Sequence, residues 1–121
     1  MKKVLWWSRG RHLPTAAQVE ELRRIFGGEV EFVYRFGLIR SAEEVIKTYI
    51  EDACNGLVLI GPLGVIVKVA ILGSDHGIIP LRAKMVRVEG PREDDYFDQG
   101  TQTYVRFDSF EWVKGLNTEP A

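Results

Sequence analysis

The chain has 121 residues, of which 45% are hydrophobic and 27% charged, with a formal net charge of -1 at pH 7 and a single cysteine. This describes one globular domain over residues 1–121, and it excludes a disordered chain, a disulfide scaffold and a nucleic-acid coat protein, whose phosphate contacts demand a basic surplus. Binding to genomic DNA is therefore not expected, and any anion site must be local. The longest apolar run, "VIVKVAIL", is interrupted by Lys68 and falls far short of the ~20 residues of a membrane span. "MKK" followed by "VLWW" and then charge makes a poor signal peptide, so a reducing cytoplasm is the expected setting for the lone Cys54.

Residues 3–8, "KVLWWS", are apolar and lack helical period, as a buried parallel strand does. Thr15 and Gln18 then form a capping box, and Val19, Leu22, Ile25 and Phe26 share one helical face until Gly27-Gly28 ends it. "EVEFVYRF" is a second strand, both of its faces partly apolar. Ser41 and Glu44 open a second helix with the stripe Val45, Ile46, Tyr49, Ile50 and Ala53, closed by Asn55-Gly56; Cys54 lies on this helix, where nothing lowers its pKa. "GLVLIG" is a third buried strand. "PLGVIVKVAIL" is a third helix, apolar nearly all round, which must be covered on two sides; a second copy of the chain is the simplest cover, so a homodimer is expected.

In "IIPLRAKMVRV", Leu81, Ala83 and Met85 alternate with Arg82 and Lys84, marking a fourth strand. "EGPREDDYFDQG" is an acidic turn region, "TQTYVRFDSFEWV" a last strand antiparallel to the fourth, and "NTEPA" a tail that frays or clasps a partner. The order β-α-β-α-β-α-β-β predicts an α/β fold: a small Rossmann-like doubly wound sheet with three helices, strand order 2-1-3-4-5 and the last strand antiparallel. The winding then reverses between strands one and three, and a crevice opens beyond their carboxyl ends. "SRGRH" leaves strand one and "GPLG" leaves strand three at this point.

The groups in those two segments suit phosphate. Ser8 offers a hydroxyl, Arg9 and Arg11 guanidinium forks, and His12 a titratable ring. Gly61, Pro62, Leu63 and Gly64 open an apolar helix whose first-turn amides are free. Arg82 and Lys84 share a face of strand four and extend the basic floor, unless they face solvent and pair with "EDD"; Arg35 and Arg40 lie further off. No dinucleotide or triphosphate motif is present. Asp75 and His76 lack further ligands at metal spacing, and Glu93, Asp94, Asp95 and Asp98 lack a calcium-loop pattern and belong to a solvated loop. Neither a metal nor a cofactor is expected.

Three patches, "SRGRHLPTAAQVEEL", "LVLIGPLGVIVKV" and "GIIPLRAKMVRV", resemble the small single-domain proteins encoded beside type III CRISPR systems, pared-down relatives of the CARF domain. The resemblance implies a dimer that binds a cyclic oligoadenylate second messenger, cyclic tetra-adenylate above all, and slowly cleaves it without metal. It marks Ser8, Arg9 and His12 on the first patch, Gly61 and Gly64 on the second, and Arg82 and Lys84 on the third. The relatives keep serine and histidine closer together than "SRGRH" does. On this reading Arg9 and Lys84 clamp phosphates, Ser8 and the amides after Gly61 face the oxyanion, and His12 shuttles the proton. The alternative is a non-enzymatic module that sequesters a nucleotide or engages another protein. A redox or nucleotide-cofactor enzyme ranks last, because arginines stand where an acidic ribose partner belongs.

Overall fold

Strand β1 (Lys2–Ser8) carries five successive buried residues, Val4 to Ser8. Only a strand flanked on both edges and covered on both faces can hold such a run. The computed structural model, which describes residues 1–90, 92 and 95–121, provides both. β1 pairs in parallel with β2 (Val30–Phe36) over seven residues and with β3 (Gly56–Ile60) over five. β3 meets β4 (Leu81–Val88) in parallel, and β4 pairs antiparallel with the long β6 (Thr103–Lys114). Among the described residues the fold is mixed α/β, with three α-helices and a seven-stranded mixed sheet in which six strands follow the order β2-β1-β3-β4-β6-β5, β5 being Tyr96–Asp98, and the seventh, β7 (Asn117–Pro120), also pairs with β6.

Alternation along β1 divides the core. Val4 and Trp6 face a cluster with Leu22 of α1 (Ala16–Phe26), Val58, Leu81 and Phe110. Leu5 and Trp7 face the other cluster, with Val45 and Ile46 of α2 (Ala42–Glu51) and Ile66, Val69 and Ala70 of α3 (Leu63–Gly73). The caps follow the sequence chemistry. The Thr15 hydroxyl accepts from the Gln18 amide and the Gln18 side chain accepts from the Thr15 amide, while Gly27 ends α1 at φ 74°. At α2 the box slips by one residue. The Ser41 hydroxyl accepts from the Glu44 amide, but the Glu44 carboxylate accepts from Arg40.

Several expectations need correction. α2 stops at Glu51, and Ala53, at φ 52°, has already left it, so Cys54 lies in the turn before β3. Asn55 does not close the helix. Its amide donates to the Lys3 carbonyl and its side chain accepts from the Lys3 amide, which extends the sheet. Gly56 is a packing residue, because a Cβ there would stand 2.3 Å from the Phe26 ring. Two strands were not anticipated: β5 (Tyr96–Asp98), within the stretch expected to be a turn, and β7 (Asn117–Pro120), which occupies the supposedly frayed tail. Both pair with the outer edge of β6, at opposite ends. The terminus clasps its own sheet, with the Ala121 amide donating to the Phe110 carbonyl. α3 buries Ile66, Val69, Ala70 and Gly73 but leaves Leu63, Lys68 and Ile71 exposed. No helix is long and apolar enough to cross a membrane among the described residues.

Gly56→Ala is expected to destabilise the protein by about 1–3 kcal/mol, as overpacking of a filled core does. A thermal melt showing an unchanged midpoint would contradict the Phe26 contact.

Candidate functional site

The loops leaving β1, β2 and β3 converge at the carboxyl end of the parallel strands. The Arg9 amide donates to the Ile60 carbonyl at 3.1 Å, and the Gly37 amide donates to the Ser8 carbonyl at 2.9 Å. Ser8 and Gly61 therefore stand at one rim of the sheet. The two tryptophans fix the loops from opposite faces of β1. The Trp6 indole N–H donates to the His12 carbonyl at 2.7 Å, and that of Trp7 donates to the Gly37 carbonyl at 3.2 Å. Each tie contributes about 0.5–1.5 kcal/mol and holds a loop that lacks regular structure of its own.

Above this rim lies an open cleft of about 690 Å³, within the size range of small-molecule sites. His12, Leu13, Thr15 and Gln18 line it from the α1 side, Gly61 and Leu63 from the start of α3, and Arg82, Met85 and Tyr96 from the far strands. A narrow cavity of about 30 Å³ adjoins it, sharing Ile60, Gly61 and Ile66 and adding Arg9 and Pro62.

Of the residues singled out in the sequence, the cleft thus gathers His12, Gly61, Leu63 and Arg82, and the adjoining cavity Arg9 and Pro62. Arg11, Gly64 and Lys84 are exposed and line neither. Ser8 is fully buried on the same face of β1 as Trp6, and its hydroxyl has no partner among the described residues. Arg82 is not free. It pairs across the sheet with Glu111 at 3.5 Å, whereas Lys84 has no acidic partner among the described residues. The His12 ring lies back over Gly10, where a Cβ would meet Nε2 at 3.0 Å.

Charge is distributed unevenly between the two ends of the sheet. The loops after β1, β2 and β3, 9–15, 37–41 and 61–62, contain Arg9, Arg11, His12 and Arg40 and no Asp or Glu, whereas the connection after β4 brings Glu89, Arg92 and Asp95. The opposite connections, 27–29, 52–55 and 74–80, contain Glu29, Asp52 and Asp75 and no Lys or Arg. Arg23 pairs with Glu29 and Arg35 with Asp52, while Arg9, Arg11 and Arg40 have no acidic partner among the described residues. A near-neutral protein thus presents one cationic rim.

The cleft's far wall is an arm that sequence reasoning missed. β4 aligns with β3 only at Val58 and Leu81, so from Lys84 onward it runs past the end of β3. A register shift between Lys84 and Met85 marks a bulge, which bends a strand and re-aims its side chains. β5 completes the arm. Its base is held by Asp95, whose covered carboxylate accepts from Arg106 Nε at 2.6 Å and Nη2 at 2.9 Å, and from the Arg92 amide at 2.7 Å. Asp95 is consequently not part of a solvated loop; Glu93 and Asp94 lie outside the described residues. The Arg106 guanidinium holds the Asp95 carboxyl below the usual carboxylate range, against the opposing effect of desolvation.

No protein-family model, curated protein or solved structure matches the chain. The site is therefore read from its own chemistry. Among the described residues no three His, Cys, Asp or Glu side chains gather as metal ligands would. Cys54 is buried away from the cleft, and burial, reinforced by Asp52, pushes its thiol pKa up, with Lys3 and Arg35 opposing.

The depressed Asp95 pKa makes a signed prediction. Its contribution to stability is fully present above the unfolded value of about 3.9 and is lost as pH falls through the lower folded value. Melting temperatures of the wild type and Asp95→Asn should differ most near neutrality and converge as pH drops below about 4. A gap that widens on acidification would contradict the Asp95–Arg106 pair.

Proposed function

We propose that the protein binds a cyclic oligoadenylate, with cyclic tetra-adenylate the favoured ring, at this cleft, and so lowers the messenger level of a type III CRISPR response. The observation that carries the reading is the cationic rim: Arg9, which lines the cavity adjoining the cleft, stands with Arg11 and Arg40 on two loops that contain no carboxylate and leave the carboxyl ends of parallel strands, and none of the three has an acidic partner among the described residues. Ligands of doubly wound sheets bind in that position, and we read the sheet as a reduced Rossmann-like domain of CARF type. Gly61, which lines both the cleft and the adjoining cavity, adds support. It has no positive φ and a Cβ there would meet nothing, so the fold itself does not require glycine, whereas close approach of a ligand would.

The ring is two-fold symmetric, and two copies of the chain supply matching donors to its halves. Leu63, half-buried Val67 and Ile71 recur every four residues along α3, beginning at the cleft itself. Association along this stripe would bring two clefts together.

Cleavage, on this reading, is in-line transfer without metal. A ribose 2′-oxygen attacks the adjacent phosphorus, the bond to the 5′-oxygen breaks, and a 2′,3′-cyclic phosphate and a 5′-hydroxyl result. His12 takes the 2′-hydroxyl proton and returns one to the leaving oxygen, while Arg9, Arg11 and the first-turn amides of α3 offset the charge. A second reading, sequestration without cleavage, is favoured by one observation. No hydrogen bond orients the exposed His12 ring among the described residues, and catalytic bases are ordinarily held by a third group.

Calorimetry with cyclic tetra-adenylate should show binding that weakens with salt and falls by about tenfold or more in Arg9→Ala, Arg11→Ala. Lys114→Ala, at the opposite end of the sheet, should bind like the wild type. In EDTA, labelled ring should be cut to products ending in cyclic phosphate, and His12→Ala should slow this by ~10²-fold or more. Ring recovered intact selects sequestration; absence of binding to every cyclic oligoadenylate overturns the proposal.

A further inference from the structure

The arm that walls the cleft ends in an aromatic ring with no structural employment. We infer that Tyr96 is the platform on which the cleft takes a planar nucleobase, an inference that rests on reading the cleft as a nucleotide site and assigns its base-binding wall.

The aromatic residues around the cleft are otherwise committed. Trp6 is nearly fully buried, meets Phe32 edge to face at 6.1 Å and spends its indole N–H on the His12 carbonyl. Phe97, the next residue of β5, faces the other way and stacks on its cross-strand neighbour Tyr104, with ring centroids 5.3 Å apart. Phe107 lies against Phe110 at 4.9 Å. Tyr96 alone among these lines the cleft while 54% exposed, and neither an aromatic partner nor a hydrogen bond to its hydroxyl occurs among the described residues.

Its placement is nevertheless fixed. Asp95, immediately before it, is clamped by the two-bond pair to Arg106 and by the Arg92 amide, and three register pairs tie β5 to β6. A ring kept exposed by a covered ion pair is pre-organised, so stacking on it costs little ordering. Composition adds a second argument. Tyr96, Met85 and Ala83 make the far wall largely apolar, where Arg82 is paired with Glu111, while the cations without an acidic partner among the described residues, Arg9 and Arg11, stand on the near rim with His12. A flat apolar body joined to an anion matches that division, and every nucleobase presents such a face.

Equilibrium binding of cyclic tetra-adenylate, adenosine 5′-monophosphate and ribose 5-phosphate to the wild type, Tyr96→Phe and Tyr96→Ala tests this. Ribose 5-phosphate carries the phosphate without a base. Tyr96→Ala should weaken both adenine ligands by roughly 5- to 150-fold and leave ribose 5-phosphate unchanged, while Tyr96→Phe keeps wild-type affinity for all three. Unchanged adenine binding in Tyr96→Ala overturns the platform and leaves the cationic cleft intact. Equal weakening of ribose 5-phosphate also overturns it, because the residue would then be supporting the fold. If the wild type binds the monophosphate but not the ring, and Tyr96→Ala loses it, the platform stands and the messenger reading falls. If it binds neither adenine ligand, both fall.

Discussion

Two adjacent indoles on one central strand set the geometry of everything at the carboxyl end of this sheet. Because successive side chains of a strand point to opposite faces, Trp6 and Trp7 can each fill one half of the core and still direct an N–H toward a different loop. Trp6 reaches the His12 carbonyl and Trp7 that of Gly37. A buried donor left unpaired costs about 1–3 kcal/mol, so both loops are held by groups whose alternative is unfavourable. The positions of Arg9, Arg11 and His12 follow from strand packing rather than from the loop's own sequence.

That constraint explains how a chain of net charge -1 can offer a concentrated cationic site. The sheet places the loops that follow β1, β2 and β3 about one strand length from the connections that lead into β2, β3 and β4, and this sequence puts arginines in the first group and carboxylates in the second. Screening limits interaction between such ends to about a Debye length, near 8 Å at physiological ionic strength, so the rim keeps its local field. The arm built from β4, β5 and β6 supplies what the loops lack. The extension of β4 past the end of β3 places Met85 at the cleft, and the Asp95–Arg106 pair fixes the strand that carries Tyr96.

Much of this was legible in the sequence. The Thr15–Gln18 box, the Gly27 stop, the three helices and the buried run of β1 all depend on local chemistry, and local chemistry is what a sequence displays. The convergence of Ser8 and Gly61 followed from winding alone. What could not be read depends on contacts between distant residues. Gly56 resembles a helix terminator until the Phe26 ring is seen against it. Lys84 alternates with its neighbours as a floor residue would, but it lies past the end of β3, a register that has no sequence mark. Three-residue β5 is too short to show a period, so Tyr96 and the covered Asp95 were hidden in an acidic stretch. The uneven placement of charge between the two sets of loops, by contrast, was available once the strands were assigned.

Exchange of the three indole N–H protons with deuterated solvent, followed by NMR, tests the central constraint most directly. Trp6 and Trp7 donate to loop carbonyls, whereas half-buried Trp112 donates no hydrogen bond among the described residues. The account predicts two slowly exchanging indole protons and one fast one. Three that exchange at the same fast rate would contradict it, because the loops would then be untethered and the rim would have no fixed shape.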